Sequence, residues 1–162
     1  MKNTFVVSCP IDTYSGYGAR ARDFVKSLVE LDKYDVKILS QRWGNTTRGF
    51  IKNNKKEWGF LERLIIPGLN GKPDYWCMIT VPNEFQPVGK YNIGLTAGIE
   101  TTVCDAEWVK GCNKMDLILT SSEHSKPKIK VGISKSASPR ASISSFICLK
   151  ELTPVDICLI IL

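Results

Sequence analysis

The opening of the chain constrains the fold more than any other feature. Thr4-Phe5-Val6-Val7-Ser8-Cys9 is a continuous apolar run stopped by Pro10, the pattern of a strand buried on both faces of a parallel sheet. A turn-rich loop follows, carrying Asp12, Ser15, Gly16 and Gly18. From Ala19 the period becomes helical, with Ala21, Phe24, Val25, Leu28, Val29 and Leu31 on one face and Arg20, Arg22, Lys26 and Glu30 on the other. A second strand over Tyr34 to Ser40 completes a β-α-β unit, which in a parallel sheet crosses over right-handed.

The rest of the first 126 residues repeats this alternation. Strands are expected over Asp74 to Val81, Tyr91 to Ala97 and Met115 to Ser121, with a helix across Asp105 to Cys112. Between the second and third strands, the basic run Lys52-Asn53-Asn54-Lys55-Lys56 leads into a helix-like stretch from Glu57 to Ile66. Strands separated by helices predict one α/β domain over residues 4–126, a Rossmann-like doubly wound parallel sheet with flanking helices. A chain of 162 residues with 43% apolar content supports one such core. No run approaches the ~20 apolar residues of a membrane span, and the first residues lack a secretory signal, so a cytoplasmic protein is expected.

After Ser125 the texture changes. Six serines and no aromatic residue occur between Gly132 and Ser145, and the chain ends in Val155-Asp156-Ile157-Cys158-Leu159-Ile160-Ile161-Leu162. Residues 127–162 read as an irregular, atypical tail. Two accounts stand open: a buried terminal strand, or a disordered segment translated out of frame from a broken gene.

Charge and cysteine usage exclude several function classes. Residues 126–162 hold six basic and two acidic side chains, whereas residues 1–125 hold sixteen and fourteen, so the domain itself is nearly balanced. No nucleic-acid partner is expected from such a balance. None of the six cysteines forms a C-x-x-C pair, and Cys9 and Cys77 sit in apolar runs as reduced thiols. His124 has no zinc-ligand spacing to any cysteine, so no metal site is expected.

In open α/β sheets ligands lie beyond the carboxyl ends of the strands, which singles out five loops. Gly16-Tyr17-Gly18-Ala19-Arg20-Ala21 satisfies the G-x-G-x-x-A pattern of a nicotinamide-binding turn. Its loop from Pro10 is longer than that motif makes, and Leu39-Ser40-Gln41-Arg42 supplies no acid for a ribose diol, although Arg42 would suit a 2′-phosphate. Glycines that serve only a turn and a helix start remain the bland alternative. Glu100 follows a strand and reads either as a general base or sugar-hydroxyl ligand, or as an acid favoured by the next helix's dipole. Ser121-Ser122-Glu123 reads as an N-cap, and His124 as a structural or surface residue.

Several segments, taken in order, carry a resemblance. They are Ser15-Gly16-Tyr17-Gly18 before an amphipathic helix, Trp43-Gly44, Val81-Pro82-Asn83-Glu84-Phe85, Asn92 through Gly98-Ile99-Glu100-Thr101-Thr102, Trp108-Val109, and Met115-Asp116 leading to Ser121-Ser122-Glu123-His124-Ser125-Lys126. Over residues 4–126 this arrangement resembles the N-terminal half of a GT-B glycosyltransferase of the bacterial and phage group-1-like kind. The resemblance implies a domain that holds a saccharide or other hydroxyl acceptor, facing a nucleotide-sugar donor held mainly by a second Rossmann-like domain. The donor is then a co-substrate, and no further cofactor is implied. Gly16, Tyr17 and Gly18 match the loop near the donor diphosphate. Glu100 becomes the catalytic candidate, and Trp43, Asn83, Glu84, Thr101, Ser122 and His124 the substrate-binding candidates. The 36 residues after Lys126 are too few for the second domain. The expectation is a truncated acceptor-side half, inactive alone. An NAD(P)-binding oxidoreductase fragment and a non-catalytic α/β binding module are the competing readings.

Overall fold

The computed structural model describes residues 1–97 and 105–120, together with the backbone of 146–148. Five strands, β1 (Asn3–Cys9), β2 (Tyr34–Ser40), β3 (Tyr75–Ile79), β4 (Tyr91–Thr96) and β5 (Leu117–Thr120), form one sheet in the order β2-β1-β3-β4-β5, every pair parallel. A short β6 (Phe146–Cys148) pairs parallel with β5 at the edge. The sequence reading placed no strand there, because three residues are too few to display a period.

The other edge extends the sheet by one residue. Ile65 makes a parallel bridge to Ile38, and the Ile66 amide donates to the Ile38 carbonyl at 2.9 Å. Counting that pairing as a strand outside β2, and setting the short β6 aside, the order becomes 3-2-1-4-5-6, the doubly wound order, with its reversal between β1 and β3.

Helices cover both faces. On one, α1 (Gly16–Leu31) buries Ala21, Phe24, Val25 and Leu28 against Phe5, Val7, Cys9, Val36, Ile38, Cys77 and Ile79. The other carries α4 (Ala106–Cys112) and a smaller core of Val6, Trp76, Met78, Phe85, Cys112, Met115 and Ile118. Adjacent residues of β1 thus enter different cores, which is why its sequence runs apolar without alternation. Each fully buried Phe, Ile or Leu contributes roughly 1.5–3 kcal/mol.

The segment between β2 and β3 departs from the single helix that the pattern from Glu57 predicts. It forms α2 (Phe50–Asn53), α3 (Lys55–Trp58) and a 3-10 turn over Gly59–Leu64. Asn54 ends one short helix and Gly59 the other, and neither α2 nor α3 has a side-chain N-cap. Only Ile51 and Leu61 of these elements are fully buried, too narrow an apolar stripe to hold a continuous helix. By contrast, α4 starts one residue after its expected first position because Asp105 is its cap, accepting from the Glu107 amide at 2.7 Å.

Candidate functional site

Because all the strands are parallel, the loops after β1, β2 and β3 and the carboxyl end of β4 meet at one edge of the sheet. The β1 loop leads into α1. Ser15 caps that helix, its Oγ accepting from the Gly18 amide at 2.9 Å and its carbonyl from the Ala19 amide at 2.9 Å. The Gly16 and Tyr17 amides have no intrahelical partner, as at any helix start.

The two glycines differ in role. A Cβ on Gly18 would lie 2.6 Å from the Thr13 carbonyl oxygen and 2.9 Å from that of Pro10, so this glycine seats the helix on the loop. A Cβ on Gly16 would meet nothing within 4 Å. Packing within the protein therefore does not demand a glycine at 16, and its backbone lies open at the helix start.

The loop itself is braced by residues that the sequence reading treated as ordinary. Arg22, expected on the polar face of α1, is instead buried at 4% exposure. Its Nη1 donates to the carbonyls of Ile11 at 2.9 Å and Thr13 at 2.8 Å, and its guanidinium lies 3.4 Å from the Phe50 ring centroid. Burial pulls its pKa below the ordinary arginine value, with nearby Asp23 and Asp12 opposing the shift. The Asp12 carboxylate accepts from the amides of Gly49 and Ile51, each at 3.0 Å, and the Tyr14 amide donates to Thr47 at 3.0 Å. Helical periodicity could not reveal Arg22, because the carbonyls that capture it come from a different element.

Tyr17 joins three loops. Its ring stacks on Trp43 with centroids 4.3 Å apart and planes 28° apart. Its hydroxyl lies 3.1 Å from Thr96 Oγ1 and accepts from the Ala97 amide at 3.2 Å. The start of α1, the β2 loop and the end of β4 are thereby held together. Beside this junction Gly16, Tyr17, Arg20, Leu95 and Ala97 line a cavity of about 320 Å³, within the usual range for small-ligand sites. Sequence reasoning singled out neither Arg20 nor Leu95 and Ala97 as lining residues, since only the sheet order brings β4 beside the start of α1. A larger space of about 520 Å³ lies along segment 66–73 and borders Thr4 and Lys37. Thr4 belongs to the amino-terminal half of β1, so this space is away from the converging loops.

Asn83 and Glu84 occupy a 3-10 turn, Pro82–Glu84, just after β3, and both are exposed at the same carboxyl edge. The Thr80 hydroxyl donates to the Glu84 carboxylate. A Cβ on Gly111 of α4 would fall 1.7 Å from the Pro82 carbonyl oxygen, so this turn packs directly against α4. Neither Asn83 nor Glu84 lines the cavity beside Tyr17. Glu100, Thr101, Ser122 and His124 lie outside the described residues. Among the described residues, no cluster of three His, Cys, Asp or Glu side chains is placed to hold a metal. Burial pushes the thiols of Cys9 and Cys77 well above their ordinary pKa, as expected of packed, unreactive groups.

Fold and loop geometry define a Rossmann-like α/β domain with an open carboxyl edge. No family model matches the chain, and neither a curated protein nor a solved structure matches it.

Proposed function

We propose that the chain is the acceptor-side domain of a glycosyltransferase, holding a saccharide or other hydroxyl acceptor opposite a nucleotide-sugar donor. The observation that carries this reading is the junction at Tyr17, where the Tyr17 ring, backed by Trp43, borders a cavity at the sheet's carboxyl edge together with an open glycine backbone and Arg20. The Tyr17 ring, which lines the cavity, offers apolar surface to the C–H side of a sugar. The Gly16 and Tyr17 amides at the helix start, with Arg20, favour an anionic group nearby. Glu100 remains the proposed catalytic carboxylate, with Asn83 and Glu84 as proposed hydroxyl ligands.

Gly18 argues against the nicotinamide reading, and leaves Gly16 and Tyr17 rather than Gly18 as the proposed neighbours of a donor diphosphate. In a dinucleotide turn the middle glycine lets the backbone approach a pyrophosphate. Here the space at Gly18 is filled by the carbonyls of Thr13 and Pro10.

Titrating the full chain with saccharides, nucleotide sugars and reduced nicotinamide cofactor, while following tryptophan fluorescence, tests the proposal. Saccharides and nucleotide sugars should change the emission, and Trp43→Phe should remove that response. Micromolar binding of the reduced nicotinamide cofactor with no response to any sugar would refute it.

A further inference from the structure

Between β2 and Ile65 the chain turns a mixed basic and aromatic surface outward. Arg48, Lys52, Lys55, Lys56 and Arg63 are all exposed there, against Glu57 and Glu62. Among the described residues two of this set are ion-paired, Arg48 with Asp12 at 4.0 Å and Lys55 with Glu62 at 3.6 Å, and no carboxylate lies within 4.0 Å of Lys52, Lys56 or Arg63. Through the same surface runs a chain of rings, Tyr14, Phe50, Trp58 and Phe60, with successive centroids 5.1, 6.5 and 6.3 Å apart. Tyr14 is 47% exposed, and the other three are half-buried.

Two kinds of polyanion suit such a surface, a single-stranded nucleic acid or an anionic membrane, and the rings decide between them. Bases stack on open ring faces. The Arg22 guanidinium lies over the Phe50 face at 3.4 Å. The Trp58 ring has the Lys26 ammonium 5.7 Å away and Phe60 at an interplanar angle of 27°. One face of Phe50 and one of Trp58 are thereby covered, and Phe50, Trp58 and Phe60 are half-buried, which leaves Tyr14 as the exposed ring of the four and too little open aromatic surface for a run of bases. Half-buried rings flanked by lysines match the headgroup layer of a bilayer, where amphipathic rings and basic side chains both settle. We propose that the outer surface of segment 48–63, with Tyr14 at its border, seats the protein on an anionic phospholipid surface. The proposal is independent of the sugar-transfer reading, and no outcome below bears on that reading.

Each basic residue near an anionic bilayer is worth about a five-fold change in partitioning. The full chain should therefore float with vesicles containing about 30% phosphatidylserine but not with pure phosphatidylcholine vesicles, and the binding should fade as salt rises. Replacing Lys52, Lys55 and Lys56 together by Gln should weaken binding about 100-fold. These side chains are exposed, so the fold is retained, and the basic residues beyond Ser125 are left untouched. Tyr14→Ala should weaken binding without altering its salt dependence. Failure to float with the anionic vesicles at about 50 mM salt would overturn the proposal. So would a triple variant that binds like the parent, or a single-stranded RNA that binds more tightly than the vesicles.

Discussion

Substituting alanine at each glycine of the first helical turn separates a glycine required by packing from one that packing leaves free. At Gly18 the added Cβ would sit 2.6 Å from the Thr13 carbonyl oxygen, 2.7 Å from Thr13 Oγ1 and 2.9 Å from the Pro10 carbonyl oxygen, whereas ordinary contact begins at 3.4 Å. Something must therefore move by about 0.8 Å, the difference between 3.4 and 2.6 Å. The loop cannot easily yield. Thr13 is held by Arg22 at 2.8 Å, by its own amide and hydroxyl bonds to Pro10, and by its bridge to Arg48. The helix must then shift, stretching the 2.9 Å bond between the Gly18 amide and Ser15 Oγ. Overpacking of this kind costs about 1–3 kcal/mol, which outweighs the gain of up to about 1 kcal/mol from alanine's helix propensity. Urea unfolding of Gly18→Ala should give a lower midpoint at unchanged slope, and the melting temperature should fall by about 2–4 °C per kcal/mol. Gly16→Ala, with no atom within 4 Å of the new methyl, should match or exceed the parent in stability and lose only ligand binding at the cavity. A Gly18→Ala protein as stable as the parent, or a Gly16→Ala protein that is the less stable of the two, would refute the reasoning.

Three further outcomes follow from the same geometry. Arg22→Met should cost about 2–4 kcal/mol in denaturant unfolding, because it strands the Ile11 and Thr13 carbonyls without their charged donor and removes the guanidinium from Phe50. Tyr17→Phe keeps the ring on Trp43 but removes the hydroxyl from Thr96 and Ala97, so it should cost about 1 kcal/mol and alter ligand response more than stability. The thiols of Cys9 and Cys77 should resist thiol reagents until the protein unfolds, and they make stability depend on pH in a defined direction. Burial raises both native pKa values, whereas in the unfolded chain they ionise near the ordinary 9.0. Above about pH 9 the unfolded state releases protons that the native state keeps, so their contribution is fully present below pH 9 and falls above it, by about 1.4 kcal/mol per pH unit per thiol. A stability that rises between pH 9 and 10 in urea titrations would contradict this assignment.

Local pattern was enough to write down most of the architecture. The run from Thr4 to Cys9 stopped by Pro10, the apolar stripe of α1 and the later strands each report their environment through neighbours close in sequence, so the α/β alternation was legible. What failed was local as well: segment 48–66 carries aromatic and basic residues without a sustained stripe, so its breakup into α2, α3 and a 3-10 turn depends on packing against β2 and α1. The glycine pattern at 16–18 was visible as a motif. Its division into an open Gly16 and a packed Gly18 was not, because the atoms that fill the space at Gly18 come from Pro10 and Thr13, placed by the path of the loop.

By itself, then, the sequence determined that this chain builds a parallel, doubly wound sheet and that its loops share one edge, since both follow from hydrophobic period and the handedness of β-α-β crossovers. Tertiary structure alone decided that Arg22 is an interior brace rather than a surface charge, that Tyr17 spans from Trp43 to Thr96, and that Leu95 and Arg20 border one cavity. The reason is physical: Tyr17 and Thr96 are 79 residues apart, and only the lateral order of strands makes them neighbours.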